Sequence, residues 1–170
     1  MKEREKQKAL EKLEKLTEVG SLTVGDSAIR RALWPLGLKF YDLWCAKRAG
    51  RKAPERKDFR PAEMVPLLPS ISLYSVEKNP QRFKIILMGT EFSDSAGIDL
   101  TGKYMDEVPG GDMACLRAGW MVKYCEPLLV QGVPLAWSRL DYKRYDAVGL
   151  PLAGGGGAVD KFFYFNKFYI

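Results

Sequence analysis

The sequence of 170 residues predicts an α+β fold: a five-stranded antiparallel sheet with short helices and one longer helix on one face, preceded by N-terminal helices. Two changes of periodicity carry this expectation. Apolar residues recur at helical spacing up to about Ala49, then fall into strand-like runs from Ile71. After an interval of short helical pieces and one longer helix, strand-like runs return beyond Pro127 and continue to the end. Strands so close in sequence pair antiparallel and pack the intervening helices on a face of the sheet. A chain of this length supports one well-buried core and is too short for two ordinary domains. Residues 1–25 therefore read as an amphipathic helix and linker, and residues 26–170 as the main domain with a leading helix, its core at about 70–170.

The first helix is "KEREKQKALEKLEKLTE". Strong helix formers carry an apolar stripe of Ala9, Leu13 and Leu16, with Leu10 beside it. A helix this short and charged is marginal alone, so it needs a partner, either the domain or a second copy of itself. "EVGSLTVGD" breaks it, and Asp26 or Ser27 can cap the next helix. That helix runs to about Ala49, with Ile29, Leu33, Leu36, Phe40, Leu43 and Trp44 near one face and Pro35 and Gly37 kinking or restarting it.

Pro54, Pro61, Pro66 and Pro69 make "RKAPERKDFRPAEMVPLLPS" a connector of extended chain and turns around a short helical piece near residues 62–67. "ISLYSVE" and "RFKIILMGT" form a hairpin turned by Asn79-Pro80. Short helical fragments follow, broken by Gly97 and Gly102. A longer helix begins near Asp112, with Met113, Leu116, Trp120 and Tyr124 on one face, and Pro127 stops it. "PLLVQG", "PLAWSRLDYKRYDAVGLPLA" and "AVDKFFYFNKFYI" complete the sheet.

"GIDLTGKY", residues 97–104, comes close to a phosphate-binding loop but lacks its context. Such a loop needs a strand before it, a helix after it and a small hydroxyl following the lysine. Here an acidic, polar stretch precedes it, Asp99 would oppose phosphate, and Tyr104 stands where Ser or Thr is required. A turn anchored by Leu100 explains the segment better.

Composition narrows the chemistry further. The sequence has no histidine, which removes Ser-His and Cys-His nucleophilic catalysis, histidine metal triads and axial histidine ligation of haem. The carboxylates Asp94, Asp99, Asp106 and Glu107 have no histidine, metal motif or nucleophile beside them, so no enzymatic activity is expected. No run approaches the roughly 18 apolar residues of a spanning helix, and Cys45, Cys115 and Cys125 are odd in number and widely spaced. Both features suit a cytoplasmic protein with reduced thiols. Residues 1–60 hold 16 Lys/Arg against 9 Asp/Glu, whereas residues 61–170 hold 11 against 12. The basic excess thus lies in the N-terminal third. Lys47, Arg48, Arg51, Lys52, Arg56, Lys57 and Arg60 form a cluster that could draw in nucleic acid or an anionic membrane surface. No recognition helix or stacking platform accompanies it, so a solvated face is the simpler reading.

Taken in order, "LWCAKRAGRKAPERKDFRPAEMVPLLPSISLYSVE", "RFKIILMGT", "GIDLTGKYMDEV", "CEPLL" and "YDAVGLPLAGG" resemble a bacterial PAS-like sensory domain family. Its pattern has a leading helix, a Leu-Leu-Pro approach to the first strand, a Leu-x-Gly-Thr strand end and a Gly-x-Asp-Leu-Thr-Gly turn. The resemblance spans roughly residues 40–170. It implies a PAS-like fold and a non-catalytic sensory or protein-interaction module in bacterial signal transduction. Family members often carry an arginine just before Leu-x-Gly-Thr, where this chain has Ile86.

The resemblance also implies a small apolar cavity between sheet and helices, able to take a small organic ligand. Its candidate binding residues are Phe92, Leu100, Tyr104, Trp120, Tyr124 and Trp137, with Arg139 and Tyr145 as polar groups. Phe83, Ile85 and Phe163 are further candidate lining residues, and Tyr142 is a further candidate polar group. Cys115 and Cys125 sit in neither a flavin-adduct nor a chromophore-thioester motif, which leaves an apo protein or a small metabolite. The expected partners are a second copy of the chain, through the N-terminal helices, and a signalling protein. An adaptor for nucleic acid or a membrane surface, using residues 47–60, is the competing reading.

Overall fold

The computed structural model describes residues 1–17, 20–136 and 143–170. Helices α1 (Lys2–Leu16), α2 (Asp26–Ala32), α3 (Pro35–Arg48), α4 (Pro61–Met64), α5 (Thr90–Ala96) and α6 (Gly111–Tyr124) surround a single antiparallel sheet. Its strands are β1 (Ser21–Val24), β2 (Ile71–Glu77), β3 (Arg82–Met88), β4 (Leu128–Pro134), β5 (Arg144–Ala153) and β6 (Val159–Tyr169), in the order β1-β4-β5-β6-β2-β3. The α+β class and the five expected strands are present. A sixth, β1, lies in "SLTV", which the sequence reading took as linker. Four residues between two glycines give no periodicity to detect, and pairing of Ser21–Val24 with Gln131–Leu128 of β4 makes them a strand.

The central strand β6 is buried on both faces. Phe162 and Tyr164 point into one core layer, and Phe163 and Phe165 point into the other, as strand alternation requires. On the second face Phe40 of α3 lies 5.1 Å from Phe165 and 5.4 Å from Phe163, ring centre to ring centre. Trp44 of α3 donates its indole N–H to the Pro151 carbonyl at 2.9 Å. The helices are therefore not confined to one face: α5 and α6 cover the first, while α2 and α3 cover the second. The connector also supplies core, since Phe59, Met64 and Leu67 are buried there.

Helix α2 ends before Leu33, and α3 restarts with Pro35 in its first turn, where the missing N–H costs nothing. Helix α1 finds its partner within the domain. Leu10 and Leu13 are buried against the layer that includes α6, while Leu16 stays 45% exposed. Lys6 pairs with Glu126 and Lys123 with Glu5 at its flanks. Full burial of each leucine contributes roughly 1.5–3 kcal/mol, enough to hold a helix that is marginal alone. Among the described residues no helix is long and apolar enough to cross a membrane.

The Leu-Met-Gly-Thr element ends β3 at a close backbone approach. A Cβ on Gly89 would collide with the Pro69 carbonyl and lie 2.7 Å from the Ile71 oxygen, and Gly89 N–H donates to that Ile71 oxygen at 2.8 Å. Gly89→Ala should therefore destabilise the fold by about 1–3 kcal/mol, read as a lower urea midpoint at unchanged slope. An unchanged midpoint would show that the strand end can shift to make room.

Candidate functional site

Helix α6 presents two faces to two different surroundings. Ala114, Arg117, Ala118 and Met121 recur at spacings of three and four and face the sheet. Leu116, Gly119, Trp120, Lys123 and Tyr124 line a groove shared with Ala9, Leu13 and Leu16 of α1. The small side chains of Ala114 and Ala118 leave room beside the sheet for the long arginine between them.

The first face closes a cavity of about 40 Å³ against the sheet. Its wall is formed by Tyr74 and Ile85 of β2 and β3, Phe92 of α5, Leu100, Met105 and Val108, Ala114 and Arg117 of α6, and Val130, Tyr145, Ala147, Tyr164 and Asn166 from β4, β5 and β6. It is small beside pockets for drug-sized ligands, which run to roughly 300–1,000 Å³. Arg117 is 5% exposed and donates from Nη2 to the Tyr145 hydroxyl at 3.4 Å. Asn166 is fixed by donating to Ser72 Oγ at 2.8 Å and to the Ser70 carbonyl at 3.2 Å. Burial pushes the phenols of Tyr74, Tyr145 and Tyr164 upward, so all three are neutral hydroxyls near pH 7.

Of the residues the sequence proposed, Phe92, Leu100 and Tyr145 line this cavity, together with Ile85. Trp137, Arg139 and Tyr142 lie outside the described residues. The other candidates sit elsewhere. Trp120 and Tyr124 are in the groove with α1 instead: their i+3 and i+7 spacing keeps them on the same side of α6 as Arg117, but they lie one and two turns farther along the helix, beyond the cavity. The indole N–H of Trp120 and the hydroxyl of Tyr124 are buried there without a hydrogen-bond partner among the described residues. Phe163 belongs to the opposite core layer. Phe83 packs edge-on against Phe162 at 5.4 Å, in the core around the cavity.

Tyr104 lies outside the cavity, over the end of β3. Arg82 stacks on its ring at 3.7 Å and donates to both Asp106 oxygens, at 2.9 and 2.7 Å. The Tyr104 hydroxyl donates to Glu77 at 2.9 Å. This surface cluster ties residues 102–107 to the edge of the sheet, where Gly102 N–H donates to the Ile85 carbonyl and Ile85 N–H to the Lys103 carbonyl. It thereby places Met105 in the cavity wall.

The residues missed are chiefly Arg117, Tyr74, Tyr164 and Asn166. A lone arginine on a helix reads as solvated, and the tyrosines read as plain core. The detectable signal was the stripe Ala114, Ala118, Met121 running beside Arg117. In "GIDLTGKY", Gly97 ends α5 in a left-handed conformation, φ 76°, and Leu100 is buried. Asp99 accepts the Thr101 N–H at 3.0 Å and its hydroxyl at 2.6 Å, closing a turn. Ile86 is 40% exposed while its neighbour Ile85 faces the cavity, so an arginine at position 86 would stand outside it. The basic connector is largely engaged locally. Lys47 pairs with Glu63, Arg51 with Asp58 and Lys57 with Glu55, while Arg48 stacks on Trp44 and Arg56 on Phe163.

Residues 35–108 match the family model of a PAS domain. The fold is PAS-like. The matched span runs from α3 to Val108 and so includes nearly half of the cavity lining; Arg117, Tyr145, Tyr164 and Asn166 lie beyond it. No curated protein matches the chain. A PAS domain suggests a sensory or interaction module.

The Arg82 guanidinium holds the Asp106 carboxyl below its ordinary value of 3.8. Its contribution is thus fully present above that value and lost as pH falls through the lowered one. Arg82→Ala should speed hydrogen exchange at the Gly102 and Ile85 amides near pH 7 and leave β5 and β6 protected. Equal exchange in both proteins would show that the wall is held by Leu100 and Met105 alone.

Proposed function

We propose that this chain is a non-catalytic sensory module of bacterial signal transduction that binds a small organic ligand in the cavity under α6. The observation that carries the reading is the cavity itself. It has apolar walls, few polar groups and a helix for a lid, the composition of a small-molecule site. Helix α6 then serves as the transmitting element. A ligand touching Arg117 or Ala114 acts on a helix whose other face carries α1, and a shift of α6 changes how α1 is seated.

Protein purified under native conditions and then denatured should release a small molecule in a near-stoichiometric amount, identified by mass spectrometry. If none is released, a metabolite screen by thermal shift should still find a compound that raises the melting temperature. Failure of both would count against a ligand sensor.

Self-association through the N-terminal helices belongs to the same reading. Leu10 and Leu13 are occupied by α6, which leaves Leu16 and Leu116, exposed at the mouth of the groove, as the apolar contact for a second copy. Leu16→Glu combined with Leu116→Glu should lower the mass seen in light scattering toward that of one chain. A mass unchanged by the substitutions would remove α1 and α6 from any interface.

A further inference from the structure

We infer that the cavity is built for a short-chain aliphatic carboxylate, held through Arg117. This rests on the ligand-binding reading above and adds the chemical class. Arg117 is one of the most deeply buried charged groups in the protein, and no carboxylate among the described residues pairs with it. Among the described residues neither Asp nor Glu lines the cavity. Asp146, next to Tyr145 along β5, faces the opposite way, as alternation requires, and accepts from the Gly132 N–H at 2.8 Å and the Tyr169 hydroxyl at 2.9 Å. Among the described residues the guanidinium makes one hydrogen bond, to Tyr145 at 3.4 Å, which is long and goes to a neutral hydroxyl.

A buried cation without a counter-ion is strongly unfavourable, so a fold that keeps one is poised to gain from an anion. The guanidinium fork matches a carboxylate with two parallel hydrogen bonds. The Tyr145 hydroxyl, already beside the guanidinium, is a further donor to the same oxygens. Ile85, Phe92, Leu100 and Met105 supply apolar wall for a hydrocarbon tail. About 40 Å³ of space open to the centre of a water-sized sphere limits that tail to a few carbon atoms. Inorganic anions would satisfy the charge and leave the apolar wall unused.

The test uses the full chain in carboxylate-free buffer, titrated calorimetrically and by thermal shift with propionate and butyrate. Butyramide and 1-butanol serve as neutral probes of similar shape, and inorganic phosphate as an anion without a tail. Butyrate should bind with one-to-one stoichiometry and raise the melting temperature. Arg117→Met should weaken it by roughly 100-fold, the loss expected on truncating one partner of a buried charge pair. It should also melt no lower than the parent without ligand, because an unpaired buried charge has been removed. Arg117→Lys, which keeps the charge and loses the fork, should fall between them.

A marked drop in the melting temperature of ligand-free Arg117→Met would overturn the proposal, since Arg117 would then be a satisfied structural group. Undiminished butyrate binding by that variant, or phosphate binding as tightly as butyrate, would overturn it as well. Stabilisation of parent and variant alike by butyramide or 1-butanol would keep the ligand cavity and reject the carboxylate. If no probe of either charge binds, the carboxylate proposal is overturned, while the ligand-binding reading stands or falls separately on the released-molecule and metabolite-screen experiments.

Discussion

The double burial of β6 is the constraint on which the rest of the molecule depends. An antiparallel strand with one solvated face alternates polar and apolar residues, whereas "FFYF" offers large aromatic rings to both sides. Such a strand is stable only at the centre of a sheet with both faces covered. The second face has only the N-terminal half of the chain to cover it, so α3 and the proline-rich connector are drawn across it through Phe40, Trp44 and Phe59. The first face is left to α5 and α6, and a cavity remains where their side chains do not fill the space.

That division explains why one helix can link a binding site to a surface element. Helix α6 carries Ala114 and Arg117 toward the cavity and Leu116, Trp120 and Tyr124 toward α1. One helix lines both environments, so a displacement of that helix is felt in both. The orphaned Trp120 N–H and Tyr124 hydroxyl mark the outer side as imperfectly satisfied, the kind of contact that can rearrange at small cost.

Charge follows the same partition. The basic excess of the first 60 residues is spent largely within the connector, on Glu55, Asp58 and Glu63 and on aromatic rings. The positive charge that lacks a described counter-ion in the core is a single arginine far along the sequence. Local sequence counts had pointed to the first region and passed over the second, because pairing between neighbours is visible along a chain and isolation inside a core is not.

What the sequence determined by itself is the local and periodic part: the α+β class, the five longer strands, the helix boundaries set by Pro35 and Pro127, and the turn in "GIDLTGKY". Through the PAS-like resemblance it also offered Phe92, Leu100 and Tyr145, which line the cavity. Tertiary structure decided the rest. The edge strand β1 exists only through its hydrogen bonds to β4, Leu10 and Leu13 are buried only because α6 lies under them, and α3 crosses to the second face only because β6 needs cover. The same holds for Arg117, Tyr74, Tyr164 and Asn166. Their meeting depends on the rotation of α6 against strands far away in sequence, and helical spacing gives which residues share a face but not which face turns inward.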